Sequence, residues 1–81
     1  MNIRAVQKSA PPGAEFELQI SPRVRVRTGD KVRIRANIPG EHGMKGSFGF
    51  HASDKGGPYA AVYTDHGWRL VRPERIRRIT K

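Results

Sequence analysis

One stretch of the sequence excludes a helix and predicts strands. From Arg23 to Arg35, a lysine or arginine alternates with a valine or isoleucine on both sides of a central Thr-Gly-Asp. A period of two residues and a high content of β-branched side chains are both typical of strands. Two arrangements are open: a tight hairpin around residues 29–30, or a loop over 25–29 followed by a first barrel strand from Lys31. In the hairpin, six cations would project from one face: Arg23, Arg25, Arg27, Lys31, Arg33 and Arg35.

Short alternating segments and frequent turns also organise the rest of the chain. Alternation with a period of two predicts strands at residues 14–20, 47–52, 59–64, 68–72 and 77–79. The segment Pro73-Glu74-Arg75-Ile76 predicts a single 3₁₀ turn, because proline is preorganised for a first helical position. Glycine or proline stands at nearly every junction. The pattern therefore predicts an all-β fold, a small antiparallel barrel of five to six strands.

The same alternation predicts which side chains point inward. Phe48 and Phe50 are in phase in one strand, and Tyr59, Ala61 and Tyr63 are in phase in the next. Combining phase with hydrophobicity, we expect a core built from Leu18, Val32, Ile34, Phe50, Val62, Leu70 and Ile76.

Length and composition limit the domain organisation. Residues 1–13, which end in Ser-Ala-Pro-Pro-Gly, read as a flexible or loosely docked leader, and residues 14–81 as a single domain. A chain of 81 residues buries one thin core and has little left to enclose a deep substrate pocket. It contains no cysteine and no long apolar run, so we expect no disulfides, no membrane segment and a cytoplasmic location.

Three motifs resemble those of a known family. They are Gly29-Asp30-Lys31-Val32-Arg33-Ile34, the glycine-bearing loop of residues 40–46, and the closing Leu70-Val71-Arg72-Pro73-Glu74-Arg75-Ile76. Together they resemble the SH3-like barrels, and within them the KOW module of NusG-type transcription factors and of certain ribosomal proteins. The resemblance implies an SH3-like barrel whose loop between the first two strands contacts RNA or protein. Gly49 departs from the KOW pattern, which usually has a β-branched residue there.

Catalytic and metal-binding motifs are not recognisable in the sequence. The serines lie in the leader, in turns or beside glycines, and no serine has the strand-to-helix setting of a nucleophile. His42, His51 and His66 lack the spacing of zinc ligands, and the acidic residues of the turns suit backbone capping. We therefore expect a protein that is not an enzyme and uses no cofactor or metal.

Positive charge is the strongest functional signal. Lysine and arginine number 16 against 7 acidic residues, which gives a formal net charge of +9. A second block of cations lies toward the C-terminus: Arg69, Arg72, Arg75, Arg77, Arg78 and Lys81. One further candidate, Lys45, lies in the glycine loop. Clustered cations favour phosphate contacts that need no base readout, and exposed aromatic side chains can stack on unpaired bases. The candidates for stacking are Tyr59, Tyr63 and Trp68.

Two hypotheses of function follow. The first is sequence-nonspecific binding of nucleic acid, DNA or RNA, through an arginine-rich barrel face. The alternative is a protein-protein adaptor that recognises an acidic or strand-forming partner, and one form of it is an adaptor encoded by a phage or other mobile element. The sequence leaves the oligomeric state open.

Overall fold

The computed structural model describes residues 3–35 and 43–79. In chain order its elements are α1 (Ile3–Ser9), β1 (Glu17–Ser21), β2 (Val24–Arg27), β3 (Lys31–Ile34), β4 (Met44–Asp54), β5 (Gly57–Thr64), β6 (Gly67–Val71), a 3₁₀ turn (Pro73–Arg75) and β7 (Ile76–Arg78). The prediction of a small antiparallel all-β domain with a 3₁₀ turn near the C-terminus is confirmed, with seven strands in the described part instead of five or six. Residues 40–42 of the predicted glycine loop and Lys81 lie outside the described residues.

The strands form a two-stranded hairpin, β1-β2, and a five-stranded antiparallel sheet in the order β6-β5-β4-β3-β7. Of the two arrangements left open for residues 23–35, the hairpin is wrong, because β2 pairs with β1 while β3 pairs with β4 and β7. The alternative is half right: a strand begins at Lys31, but residues 24–27 are also a strand and not part of a loop.

Residues 28–30 form the corner that separates β2 from β3. The Thr28 N–H donates to the Phe16 carbonyl at 3.1 Å, and the Gly29 N–H donates to the Phe48 carbonyl at 2.8 Å. Gly29 has a φ of +97°, which favours glycine. The turn is therefore bonded to β4 and to the segment before β1, and it passes the chain from one sheet to the other.

The main core lies between the hairpin and the five-stranded sheet. Its buried members come from both layers: Leu18, Val26, Val32, Ile34, Phe48, Ala60, Val62 and Ile76. Five of the seven predicted core residues are in this group. The inward face of each strand follows the alternation of the sequence, as expected for a half-buried strand.

A second apolar cluster lies on the opposite, outer face of the five-stranded sheet. There Phe50, Ala52 and Ala61 are buried together with Val6 of α1. The segment expected as a flexible or loosely docked leader forms a helix over residues 3–9, and its Val6 side chain is only 5% exposed. Backbone hydrogen bonds in both directions between Glu15 and His51, each 2.8 Å, attach the segment after the helix to β4.

Two predictions about the core need correction. Phe48 and Phe50 are not in phase, because a bulge at Gly49 places Phe48 opposite Val62 and Phe50 opposite Ala61. Phe48 therefore points into the main core and Phe50 into the second cluster. Leu70, expected in the core, is 64% exposed, because its strand β6 ends the five-stranded sheet and Leu70 lies on the outer face beyond the reach of α1.

Candidate nucleic-acid interface

The uncovered part of the outer sheet face carries cations and aromatic side chains in register. We call this surface the platform and define it by eight residues: Lys31, Arg33, Lys45, Ser47, Tyr63, Trp68, Leu70 and Arg77. Those on β3, β4, β5 and β7 face outward because their strand neighbours Val32, Ile34, Gly46, Val62 or Ile76 lie on the inward side. Trp68 and Leu70 of β6 face outward because they pair with Tyr63 and Ala61.

Strand pairing aligns seven of the eight platform residues in two rows, and Leu70 follows Trp68 two positions further along β6. In the first row Arg33 lies between Arg77 of β7 and Lys45 of β4, its direct partners on either side. In the second row Lys31 pairs with Ser47, Ser47 with Tyr63, and Tyr63 with Trp68. Residues that are far apart in sequence thus form one cationic half and one aromatic half on a single face.

No residue of the cationic row forms an ion pair with a carboxylate in the described part of the chain. Among the described residues the ion pairs are Arg25–Glu17, Arg27–Glu17 and His51–Glu15, none of which includes a platform residue. Lys31 donates to the Ser47 hydroxyl at 3.4 Å and forms no ion pair in this part of the chain. Like charges directly opposite each other on neighbouring strands are destabilising. A bound anion would relieve this repulsion.

The aromatic half is exposed but held in place. Tyr63 and Trp68 are 50% and 43% exposed, and their ring centroids are 5.3 Å apart in an edge-to-face arrangement. Trp68 also packs on Phe50 at 6.1 Å and lies over Gly49, where a Cβ atom would come within 2.5 Å of the indole ring. Tyr59, the third predicted stacking residue, is half-buried against the second cluster. The exposed stacking candidates are therefore Tyr63 and Trp68.

The first predicted cation block is divided between two surfaces. Arg25 and Arg27 lie on the outward face of the hairpin and pair with Glu17 at 3.3 and 3.1 Å. Arg23 is exposed in the turn between β1 and β2. Lys31 and Arg33 lie on the platform, so the predicted single face of six cations does not exist.

The second block is also dispersed. Arg69 pairs with Val62 and Arg78 with Val32, which places both on the inward-facing side of edge strands, where they remain exposed. Arg72 donates to the Gly56 carbonyl at 3.4 Å. Arg75 and Arg35 are bonded to each other, through the Arg35 N–H to the Arg75 carbonyl at 2.8 Å and the Arg75 guanidinium to the Arg35 carbonyl. Among the described members of this block, Arg77 alone lies on the platform.

Sequence reasoning missed the contribution of two neutral platform residues. Ser47 links the two halves, and Leu70 extends the aromatic half along the edge strand β6. The alternation Lys45-Gly46-Ser47 carries a signal for the first, because both polar side chains share one face of a strand. Leu70 has no such signal, since a leucine in an apolar-polar alternation predicts core.

The other polar side chains of the described part do not form a metal site. No three histidine, aspartate or glutamate side chains come together as a metal site within residues 3–35 and 43–79. His51 Nε2 lies 3.0 Å from a Glu15 carboxylate oxygen, and its Nδ1 is buried without a hydrogen-bond partner in the described part. The one α-helix over these residues is too short to cross a membrane.

The chain was compared with protein-family models, with curated proteins and with solved structures. None of the three comparisons finds a match.

Proposed function

We propose that the protein binds single-stranded nucleic acid on the platform, mainly without reading base sequence. One observation carries the proposal: strand register places an unpaired cation row beside exposed aromatic rings on one open sheet face. Proteins that bind single strands combine these two elements, cations that follow the phosphates and rings on which bases stack. Five neighbouring strands at about 4.8 Å spacing make this surface about 19 Å wide from β7 to β6.

Single strands fit better than a duplex because of the aromatic half. Tyr63 and Trp68 offer ring surface that only unpaired bases can use, since the bases of a duplex are already stacked on each other. Within residues 3–35 and 43–79, no helix or ribbon of the kind that enters a major groove projects from the platform. Contacts to the 2′-hydroxyl distinguish RNA from DNA, so the binding assay compares both kinds of single strand.

The proposed binding surface is smaller than the arginine-rich face expected from the sequence. The binding surface is confined to the platform, and the cations of the hairpin face lie outside it. We retain the SH3-like barrel as the proposed fold type, supported by the two packed sheets and by the 3₁₀ turn that precedes β7. In this proposal the protein is a non-enzymatic binding protein of the cytoplasm.

The test compares two triple variants of equal charge. R33Q/K45Q/R77Q removes three platform cations, and R23Q/R25Q/R27Q removes three from the hairpin, so each lowers the formal net charge of +9 by three. Affinities for labelled oligothymidylate, oligouridylate and a duplex are measured by fluorescence anisotropy at about 50 and 200 mM salt. Each lost phosphate contact reduces the salt slope by about 0.7 on a single strand. We expect the platform variant to lose a slope of about 2, and the hairpin variant to keep the parent's slope.

The outcome separates three explanations. Equal losses in both variants would show that binding follows net charge and not the platform. Tighter binding to the duplex than to either single strand would overturn the proposed role of the rings. Quenching of Trp68 by oligothymidylate is an independent readout, because the chain has a single tryptophan.

The adaptor hypothesis remains the second candidate because of β6. This strand ends the five-stranded sheet and exposes Trp68 and Leu70, the apolar side chains that a strand-forming partner would cover. Absence of nucleic-acid binding at low salt would favour it.

A further inference from the structure

A cavity opens on the platform where the cation row meets Tyr63. Its volume is about 670 Å³, within the range of small-molecule sites, and its wall combines Lys31, Lys45 and Ser47 with Tyr63 and Asp65. Two cations, a ring and a carboxylate are more than phosphate binding requires. The carboxylate in particular repels phosphate and needs another explanation.

Asp65 lies in the turn between β5 and β6, but the turn is closed without its side chain. The hydroxyl of Thr64, which is buried, accepts from the His66 N–H at 3.1 Å and donates to the Gly67 carbonyl at 2.8 Å. Gly67, with a φ of +94°, completes the turn. The Asp65 carboxylate has no hydrogen bond or ion pair to any residue of the described part. In contrast, Asp54 of the preceding turn accepts from the Gly56 N–H at 2.8 Å.

The chemistry of a free carboxylate selects among the bases. An ionised carboxylate only accepts hydrogen bonds, and its two oxygens can accept from two adjacent donors. Guanine has two adjacent donors on its Watson–Crick edge, N1–H and the N2 amino group. On that edge of the other bases each donor stands next to an acceptor, which would face a carboxylate oxygen and be repelled.

We propose that this cavity is a guanine subsite within the single-strand platform. Guanine stacks on Tyr63 and donates from N1–H and N2–H to Asp65, while Lys31 and Lys45 contact the adjoining phosphate. The inference rests on the proposed function and adds base preference at one nucleotide position of an otherwise nonspecific surface.

The experiment uses the full chain and oligothymidylates of about ten nucleotides, a length within the usual site sizes for single strands. The central base is thymine in the reference probe and guanine, adenine or cytosine in the others. A bidentate base contact corresponds to about a tenfold preference or more, so we expect the guanine probe to bind about tenfold more tightly than the rest.

Two variants with the same change of charge locate the effect. D65N replaces one of the two acceptor oxygens with an amide donor, which faces one of the two guanine donors, so we expect it to lose the guanine preference while it binds the reference probe at least as tightly as the parent. E74Q removes an exposed carboxylate of the 3₁₀ turn that is not part of the cavity wall, and it should keep the preference. Thermal melting checks that both variants fold.

The outcomes distinguish this inference from the proposed function. Equal affinity of the parent for all four probes would overturn the guanine subsite and leave single-strand binding intact. A guanine preference that D65N retains would also overturn it, because Asp65 would then not be the acceptor. Failure to bind any probe, including the all-thymine reference, would overturn the proposed function and the subsite together.

Discussion

Replacing Gly49 with alanine tests how the aromatic half of the platform is supported. A Cβ atom there would come within 2.5 and 2.6 Å of two carbons of the Trp68 ring and 3.2 Å from the Ala61 carbonyl oxygen. The ring cannot yield freely, because it packs on Phe50 and Tyr63. Overpacking of this kind costs about 1–3 kcal/mol.

A smaller effect opposes this cost. Gly49 has no positive φ, so alanine can adopt its backbone conformation, and a glycine-to-alanine change at such a site stabilises by about 0.4–1 kcal/mol through the unfolded state. We therefore expect G49A to lower the free energy of unfolding by about 1–2 kcal/mol. For a domain of this size the melting temperature should fall by roughly 5–15 °C.

A double-mutant cycle isolates the ring contact. Urea unfolding of the parent, G49A, W68A and G49A/W68A is followed by far-ultraviolet circular dichroism, because W68A removes the only tryptophan. With the indole absent, the added methyl group meets open space on that side, and the cost of G49A should fall below about 1 kcal/mol. An equal cost of G49A in both backgrounds would refute the placement of Trp68 over the bulge.

Three further predictions concern the core, the helix and the rings. I76A should lower the free energy of unfolding by about 2–5 kcal/mol, because Ile76 is 3% exposed, and L70A should change it by less than about 0.5 kcal/mol; urea titration of the pair checks this contrast. V6A should lower the free energy of unfolding by about 1–2 kcal/mol, because it removes apolar contact between α1 and the sheet, and it should increase hydrogen exchange in residues 3–9. Unchanged exchange there would show that Val6 does not hold the helix on the sheet. Y63A should weaken oligothymidylate binding by about 1–3 kcal/mol with little effect on duplex binding. Y59A should lower stability more than affinity, because Tyr59 is half-buried; anisotropy measures the affinities and melting curves measure the stabilities.

Local patterns predicted the strands better than their partners. Alternation placed a strand at residues 31–34 in both arrangements that it left open, and a strand at residues 24–27 in the hairpin arrangement, because the period of two is a property of each segment alone. Their pairing depends on the bonds of the turn at 28–30, which go to Phe16 and Phe48. Those acceptors are distant in sequence, and a Thr-Gly-Asp turn between two alternating segments looks the same in a hairpin and in a corner.

The leader illustrates the same limit for helices. Residues 3–9 show no apolar period long enough to predict a helix, and a helix of seven residues is not stable in isolation. Val6 supplies the missing stabilisation by packing with Phe50, Ala52 and Ala61. This apolar contact surface forms only when β4 and β5 pair, so no pattern within the leader could predict the helix.

The bulge at Gly49 connects the fold to the proposed binding surface. Before the bulge the outward side chains of β4 are Lys45 and Ser47, and after it they are Phe50 and Ala52. A regular strand would instead continue outward with residues 49 and 51, so the apolar side chains would turn to the other face. One inserted residue thus changes the outer face from polar to apolar along a single strand. The apolar part is covered by α1. The polar part stays open beside the Trp68 ring, for which Gly49 of the bulge leaves room. The helix and the platform can therefore occupy different parts of the same sheet face.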